Sequence, residues 1–555
     1  MAKPNDEHKH NILHYALHNA ITHKGKAEVK AVLGKILSEF PHLKKDIEKI
    51  KEEVEKIVNE VNKFSHKVRL SKLKELAPHL LEKKKKTKQE FSLPPLEDVK
   101  DRVVTAFPPE PSGYPHLGHA KSALINYMYA KQYEGKFVLR FEDTNPELAQ
   151  KEFYDAQLEG LRWLNISYDE LFYISDTIEE IYKKAEELIK EGYLYACKCS
   201  KKIVQENRRI SLECECKKNP ESENLKSWNA MLNKKYKKGK IIIRLKGDMD
   251  NANAVMRDPT MFRIINNEHP RHNRKYIVWP SYDFAAAYSD GVENITHRVR
   301  SKEFELRAPL QSKLQELMGF NKTTIIEQGR FNLEGVESSK RVIRDLIKKK
   351  KLSGWDDPRL STLIALKRRG FDIDGIKNFL LNTGLTKVEA LYKWDSLYSE
   401  NRKIIDKKAN RYFFVEKPKK IKIQNAPKLT AKIPMHPDFP ERGNREIMTS
   451  SEFYIQDKLD KGENYRFIHL FNFVDNDFIS VDSDEKLNAK LIHWLPAKAD
   501  LVKVWVVMPD GSVKKGLAEE SIKSLNVDDI IQFQRFGFCR LDKKGSKFTF
   551  YYTHN

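Results

Sequence analysis

Cysteine is scarce, five in 555 residues. That is too few to staple a chain of this length, so a disulfide scaffold is excluded and a reducing, cytoplasmic setting is expected. Long apolar runs are missing too. No stretch approaches the ~18 apolar residues of a membrane span, and the opening ten residues lack the hydrophobic segment of a signal peptide, so no membrane is expected among the partners. Also wanting is a Gly-x-Gly-x-x-Gly opening to a strand–helix pair, which excludes an NAD-type enzyme. Acidic residues fall short: 79 Asp and Glu face 101 Lys and Arg, a net charge of +22. The excess points to an acidic partner, most simply nucleic acid, although a halo of surface lysine also serves solubility alone. What is present, 40% hydrophobic and 32% charged residues, is the balance of a soluble globular chain. The length exceeds one hydrophobic core and implies about three to five domains.

Along the chain, residues 1–97 read as a separate helical extension. Leu43, Ile47, Ile50, Val54, Ile57, Val61 and Phe64 recur at steps of four and three, predicting one long helix with Pro41 near its first turn. Such a stripe is the packed face of a helical hairpin more often than a coiled-coil dimer. Lys83 to Lys86 and Lys88, followed by Pro94–Pro95, read as a linker. Residues 98–195 change texture: an apolar strand with Val103, Val104 and Phe107, a loop rich in proline from Pro108 to Pro115, a helix from His116, and a strand over Phe137 to Phe141. Helices over about 146–163 and 176–192 complete the pattern of a parallel α/β sheet. Residues 196–270, rich in cysteine and then lysine with a strand at Ile241 to Leu245, read as an insertion, and 271–350 as the second half of the α/β domain. Residues 351–410 are helical. From 411 to 555 short strands alternate with turns (Arg411 to Val415, Leu501 to Val507, Ile530 to Phe536, Phe548 to Tyr552), predicting one or two β-barrels.

Two constellations carry chemistry. His116-Leu-Gly-His119 puts two imidazoles on one face of a helix start, beside unpaired helical N–H groups; Gly118 permits close approach of a ligand. Such a helix end suits an anion, and the imidazoles can donate to phosphate oxygens as charge builds. A bare His-x-x-His is more often a surface pair, and half a metal site is another option. More than 200 residues on, Glu337-Ser-Ser-Lys340-Arg341 suits a mobile loop that brings an ammonium onto a polyphosphate, though Ser-Ser-Lys is common by chance.

Together they carry a resemblance. Phe107-Pro-Pro-Glu-Pro-Ser-Gly-Tyr-Pro-His-Leu-Gly-His-Ala-Lys121 resembles the HIGH signature of class I aminoacyl-tRNA synthetases in its glutamyl/glutaminyl form. Arg140-Phe-Glu-Asp-Thr-Asn-Pro146 is similar to that subfamily's next motif, and Glu337 to Arg341 stands where its KMSKS loop belongs. Gly354-Trp-Asp-Asp-Pro-Arg359, His436-Pro-Asp-Phe-Pro-Glu-Arg-Gly443 and Ile492-His-Trp494 resemble later blocks. The resemblance covers about residues 98–555, and the N-terminal segment is similar to the extension on archaeal and eukaryotic-type members. It implies an α/β class I synthetase fold: a Rossmann-like parallel-sheet catalytic domain, an acceptor-stem-binding insertion, a helical connector and anticodon-binding β-barrels.

The implied chemistry is ATP-dependent activation of glutamate to glutamyl-adenylate, then transfer to the 3′ end of tRNA(Glu), with tRNA(Gln) a second candidate acceptor. By position His116 and His119 hold the triphosphate, Gly118 leaves room for the nucleoside, Lys340 moves onto the transition state, and Mg²⁺ travels on the phosphates. Glu142 corresponds to the carboxylate that holds the substrate ammonium and Tyr282 to a pocket tyrosine. Arg300 falls where glutamyl members carry an arginine and glutaminyl members a small neutral residue. A guanidinium there pairs with a γ-carboxylate and is stranded by an amide, which favours L-glutamate over glutamine; Arg298 is the alternative side chain. One departure stands out. The family has arginine before the Phe-x-Pro run, reaching the substrate side chain, and this chain has Ala106. Restoring arginine at 106 is therefore expected to strengthen glutamate use. The remaining alternatives are a glutaminyl enzyme and a tRNA-binding protein whose catalysis is impaired.

Cys197-x-Cys199 and Cys214-x-Cys216 can close a tetrahedral thiolate site or remain free thiols. Several glutamyl members have zinc at a similar place, so Zn²⁺ is expected, while Cys539 reads as core. For tRNA the candidates are Lys201, Lys202, Arg208, Arg209, Lys217 and Lys218 at the acceptor stem and Lys348 to Lys351 on backbone phosphates. Phe533, Arg535, Phe536, Phe538 and Arg540 are candidates for splayed anticodon bases, unless these aromatics are core.

Overall fold

The structure, a computed structural model, describes residues 7–23, 25–80 and 93–555 and divides into two units, Met1–Ser92 and Leu93–Asn555. The lysine run from Lys83 to Lys88 lies outside the described residues. Among the described residues, no helix is long and apolar enough to cross a membrane.

The first unit packs α1 (Glu7–Thr22), α2 (Val29–Glu39), α3 (Ile47–Lys63) and α4 (His66–Leu76) around one core that includes Ile12, Leu17, Ile36 and Leu73. The long helix expected from Pro41 starts late: Pro41–Asp46 is a tight 3-10 segment, and only Ile47 opens the α-helix. Its buried residues are Ile50, Val54, Val58 and Val61, with Val58 where the stripe placed Ile57. A straight helix has 3.6 residues per turn, so a stripe with a 3.5 repeat drifts off the packed face. Arg69 ties the end of α3 down, donating to the carbonyls of Val61 and Asn62 and, across the unit, to that of Gly25. Carbonyls at a helix end lack intrahelical donors, and the guanidinium supplies them.

In the second unit five parallel strands form one sheet. The chain runs through β1 (Val104–Phe107), α5 (Leu117–Gln132), β2 (Lys136–Phe141), α6 (Lys151–Trp163), β3 (Glu170–Tyr173) and α7 (Ile178–Lys190). It returns much later with β8 (His297–Ser301) and β9 (Thr324–Gln328), giving the order β3-β2-β1-β8-β9. β1 and β2 are buried almost throughout, as a sheet covered on both faces requires. The order reverses between β1 and β8, and such a reversal opens a crevice at the carboxyl ends of the strands.

Between the halves lies an antiparallel sheet of β4 (Leu194–Cys197), β5 (Ile242–Leu245), β6 (Thr260–Ile264) and β7 (Val278–Pro280), with α8 (Lys201–Arg209) and α9 (Glu221–Leu232) in the first crossover. β7 carries this sheet past residue 270, where composition set the end of the insertion. Trp279 is fully buried there with Trp228 and Phe262, so its motif is part of this core as well as an entry to the next helix, α10 (Tyr282–Val292). Leu363–Arg369, Ile373–Asn382 and Trp394–Ile405 make the helical stretch.

The C-terminal region is β throughout. Its largest sheet has seven strands and ends on Arg411–Tyr412 at one side and Phe414–Glu416 at the other. These two share one extended segment, interrupted at Phe413, so the sheet closes on itself through a split strand. Smaller sheets over residues 419–496 surround Phe453, Phe467, Phe473 and Trp494. Phe533 and Phe538 are core residues, Arg535 is paired with Asp457, and Arg540 with Asp528 and Asp542. Arg535 remains exposed and Phe536 partly so, while Phe533 and Phe538 are taken up by packing. Cys539 is likewise buried core.

Candidate active site

A cavity of about 460 Å³ opens at the carboxyl ends of β1, β2 and β8. Its walls include His116, Gly118, His119, Glu142, Tyr282, Arg300 and Lys340, which the sequence spreads over more than 200 residues.

His116 is the N-cap of α5. Its Nδ1 accepts from the Gly118 N–H at 3.0 Å, and its own N–H donates to Nδ1 of His119 at 3.3 Å. Both Nδ1 atoms are thereby acceptors, which assigns each ring's proton to Nε2. Burial, then the charges of Lys340 and Arg330, holds His116 down to about 3, and burial with its neighbour's ring holds His119 well below the usual range. The pair therefore stands as two neutral Nε2–H donors at a helix N-terminus, suited to phosphate oxygens without titrating at neutral pH. The helix start is itself braced: Leu117 N–H donates to the Ser361 carbonyl and Leu363 N–H to that of Pro115.

Lys340 opens α12 (Lys340–Lys348) and reaches back to the proline loop. Its Nζ lies 3.4 Å from the Glu110 carbonyl and 3.3 Å from Ser112 Oγ, and burial lowers its pKa. The side chain runs over Gly113, where an added Cβ would meet Lys340 and Trp355 at 3.1 Å. Trp355 stacks on Tyr114, ring centroids 5.5 Å apart. The Gly354–Arg359 block thus acts as a wall behind the loop. Its Asp357, held down to about 2 against its own burial, accepts from Arg359 and Ser353.

At the other end Glu142 is largely buried, and its Oε1 accepts no hydrogen bond, having only a long ion pair of 3.9 Å to Arg140 Nη2. Burial lifts it to about 7, and the nearby guanidiniums of Arg140 and Arg298 only partly oppose this. Tyr282 is pushed up by burial and by Glu142. Arg298 lies 3.0 Å from both oxygens of Asp290, so its charge is matched. Arg300 is buried, 7% exposed, and its donors go to neutral acceptors, Gln311 Oε1 at 2.7 Å and the Phe304 carbonyl at 3.3 Å. The pocket therefore offers an unsatisfied carboxylate and an unneutralised guanidinium. Lys121, held down to about 8 by burial, and Ser122 also line it. Extending the His-x-x-His face through Gly118, Lys121 and Ser122 at helical spacing would have found both. Glu110, Ser112, Gln311 and Arg330 carried no such signal.

The comparisons with known proteins bear on this geometry. Residues 102–407 match the family model described as tRNA synthetases class I (E and Q), catalytic domain, and residues 409–492 and 491–542 match two models of the anticodon-binding domain of the same group. The chain belongs to the class I tRNA synthetases of the E and Q group. The Glutamate–tRNA ligase of Pyrococcus abyssi is 40% identical, the match covering 98% of this chain and 99% of that protein. Those of Methanocaldococcus jannaschii and Nitrosopumilus maritimus are 39% and 38% identical, covering 96% and 97% of this chain and 97% and 98% of theirs. This synthetase is therefore an enzyme with anticodon-binding domains, and the parallel sheet, the crevice and the split-strand barrel are the class I architecture with its C-terminal β region.

The insertion of this synthetase brings Cys197, Cys199, Cys214 and Cys216 together, their sulfurs all within 4.8 Å of one another. The separations 197–214, 199–214 and 199–216 are 3.7, 3.2 and 3.9 Å. A tetrahedron with Zn–S near 2.3 Å has edges of about 3.8 Å, so the set fits zinc. Arg244 donates to Cys197 Sγ at 3.9 Å, as an outer partner of a thiolate would. Around it, Arg209 pairs with Glu206, Lys218 with Glu215, and Lys217 with Glu213 and Asp258. Those bases are engaged within the insertion itself.

Proposed function

We propose that this synthetase is a glutamate–tRNA ligase. The observation that carries the reading is the pairing of opposite demands in one pocket: Glu142 Oε1 without a donor, and Arg300 without a counter-charge. Glutamate answers both, its ammonium on Glu142 and its γ-carboxylate on Arg300; glutamine leaves the guanidinium buried and unmatched. A carboxylate oxygen of glutamate attacks the α-phosphorus of ATP in line, forming glutamyl-adenylate as pyrophosphate leaves. The terminal ribose hydroxyl of tRNA(Glu) then attacks the anhydride carbonyl, and AMP departs with the bond electrons. His116 and His119 donate Nε2–H to the phosphates, Gly118 leaves room for the nucleoside, and Lys340 brings its ammonium onto the charge of the transition state. Tyr282 forms the side wall. These groups position and stabilise charge, and no covalent intermediate on the protein is needed. Mg²⁺ would be carried by ATP rather than by a protein cage and would supply charge screening. Zinc on the four cysteines would have a structural role, since the set leaves no open position.

The test is pyrophosphate exchange with glutamate, glutamine or neither, with and without tRNA. Exchange driven by glutamate and at least about a hundredfold weaker with glutamine is expected. Equal or preferred use of glutamine would overturn the reading. Charging assays on separate tRNA(Glu) and tRNA(Gln) then define the acceptor.

A further inference from the structure

Ala106 lies on β1, one residue before the strand ends in the loop that leads to His116, and the structure shows what occupies its neighbourhood. Ala106 is fully buried, packed with Val104, Val138 and Ile295 and flanked by Phe172. β1 and β8 run parallel with Thr105 opposite His297, so one residue on Ala106 lies beside Arg298. Neighbours in register point to the same face. Arg140 shares that face, two residues after Val138, which pairs with Ala106. Asp290 closes the group, accepting from Arg140 Nη2 at 2.8 Å and from Arg298 Nη1 at 3.0 Å.

Arg298 is 1% exposed yet lines the cavity, and its Nε has no partner. Its Nη2 donates to Gln311 Oε1 at 3.2 Å, the same oxygen that takes Arg300 Nη1. Two guanidiniums thus converge on a single amide oxygen, and the Nε of each has no partner, which leaves donor capacity unspent even though Asp290 matches the charge of Arg298. Arg298 is thus the guanidinium that strand register sets beside Ala106.

We propose that Arg298, set by strand register beside Ala106, joins Arg300 so that the two guanidiniums together receive the substrate's side-chain carboxylate. The proposal rests on the glutamate reading above and adds a specificity-determining residue to it. It also revises the expectation for position 106. With Arg298 in place, an arginine at 106 has only the apolar cluster to displace and an already shared Asp290 to pair with.

The test is a transposition measured by pyrophosphate exchange. Arg298→Ala should raise the glutamate KM about ten- to a hundredfold with kcat changed less than about threefold. Ala106→Arg alone should give no gain, whereas Ala106→Arg combined with Arg298→Ala should recover at least about a tenth to a third of the lost kcat/KM. An unchanged KM in Arg298→Ala overturns the proposal, as does Ala106→Arg acting equally in both backgrounds. If Arg298→Ala does not fold, Arg298→Lys, which keeps the charge but loses the fork, should still raise KM severalfold; an unchanged KM there is equally fatal. Arg300→Ala separates the two readings. If it raises the glutamate KM while Arg298→Ala does not, only the proposal for Arg298 falls; if neither variant affects glutamate, the glutamate reading falls with it.

Discussion

Glu142 makes the pocket sensitive to pH in a direction that can be worked out. Largely buried and without a hydrogen bond on Oε1, it sits near 7, above the ordinary carboxylate range. Binding an ammonium requires the ionised form, so below about pH 7 each substrate must also displace a proton. Glutamate KM should fall about fivefold between pH 6 and 7, approaching tenfold per unit only below pH 6, and level off above 8; Glu142→Gln should flatten the profile and weaken binding. The same shift opposes folding: a carboxyl raised in the folded state is favourable below its unfolded value, and that advantage is lost as pH rises through 4.5 to 7. Glu142→Gln should therefore raise stability at pH 8 by about 1–3 kcal/mol, read from urea midpoints. A variant less stable than the parent at pH 8 would show that the attraction of Arg140 and Arg298 outweighs the cost of burial. Lys340→Ala should slow adenylate formation by about two to four orders of magnitude while tRNA affinity barely changes; equal losses in both would make the loop a structural brace. His116, His119 and Lys340 could be picked out because their motifs are short and local. The Arg140–Asp290–Arg298 group could not, since its members are joined by strand register across 150 residues and no spacing announces it. Ala106 was visible only as a gap, and what fills the gap needed β8 beside β1.

At the scale of elements, local pattern served best where one segment makes its own structure. β1, α5 and β2 follow from an apolar run, a proline loop and a helix start, and the structure has them within a residue or so of the expected places. It served less well where partners come from elsewhere. The aromatics near residue 535 alternate with bases as a nucleic-acid strand would, yet Phe414 and Phe550 pack on Phe533 and turn it into core. His436 and His493, which stand in blocks similar to the family's, turn out to be ties: each Nε2 meets a backbone carbonyl, that of Asp406 and that of Phe414 respectively, at 2.7 Å. The two Cys-x-Cys turns are the element-level case that a direct measurement decides. Protein purified without added metal should hold about one zinc per chain, and Cys199→Ser with Cys216→Ser should abolish it and loosen the α8 crossover to protease. A metal-free preparation with full charging activity would end the zinc assignment.

At the scale of the whole molecule the β region stands apart in how it is wired. One segment, 411–416, supplies both margins of the seven-stranded sheet. Its partners, Val513–Ala518 and Ile530–Phe533, lie about a hundred residues further along the chain. That has a consequence for order of events during synthesis. The parallel sheet is complete once Thr324–Gln328 has emerged and its crevice once Lys340 has followed, and both can assemble while translation continues. The segment at 411–416 has no margin to pair with until Val513–Ala518 and then Ile530–Phe533 are made, an interval of order ten seconds at ordinary elongation rates. During it, two strand edges stand open side by side, the condition under which chains pair with the wrong neighbour. The nascent chain therefore carries a pocket able to hold ATP before it carries a finished surface able to read an anticodon.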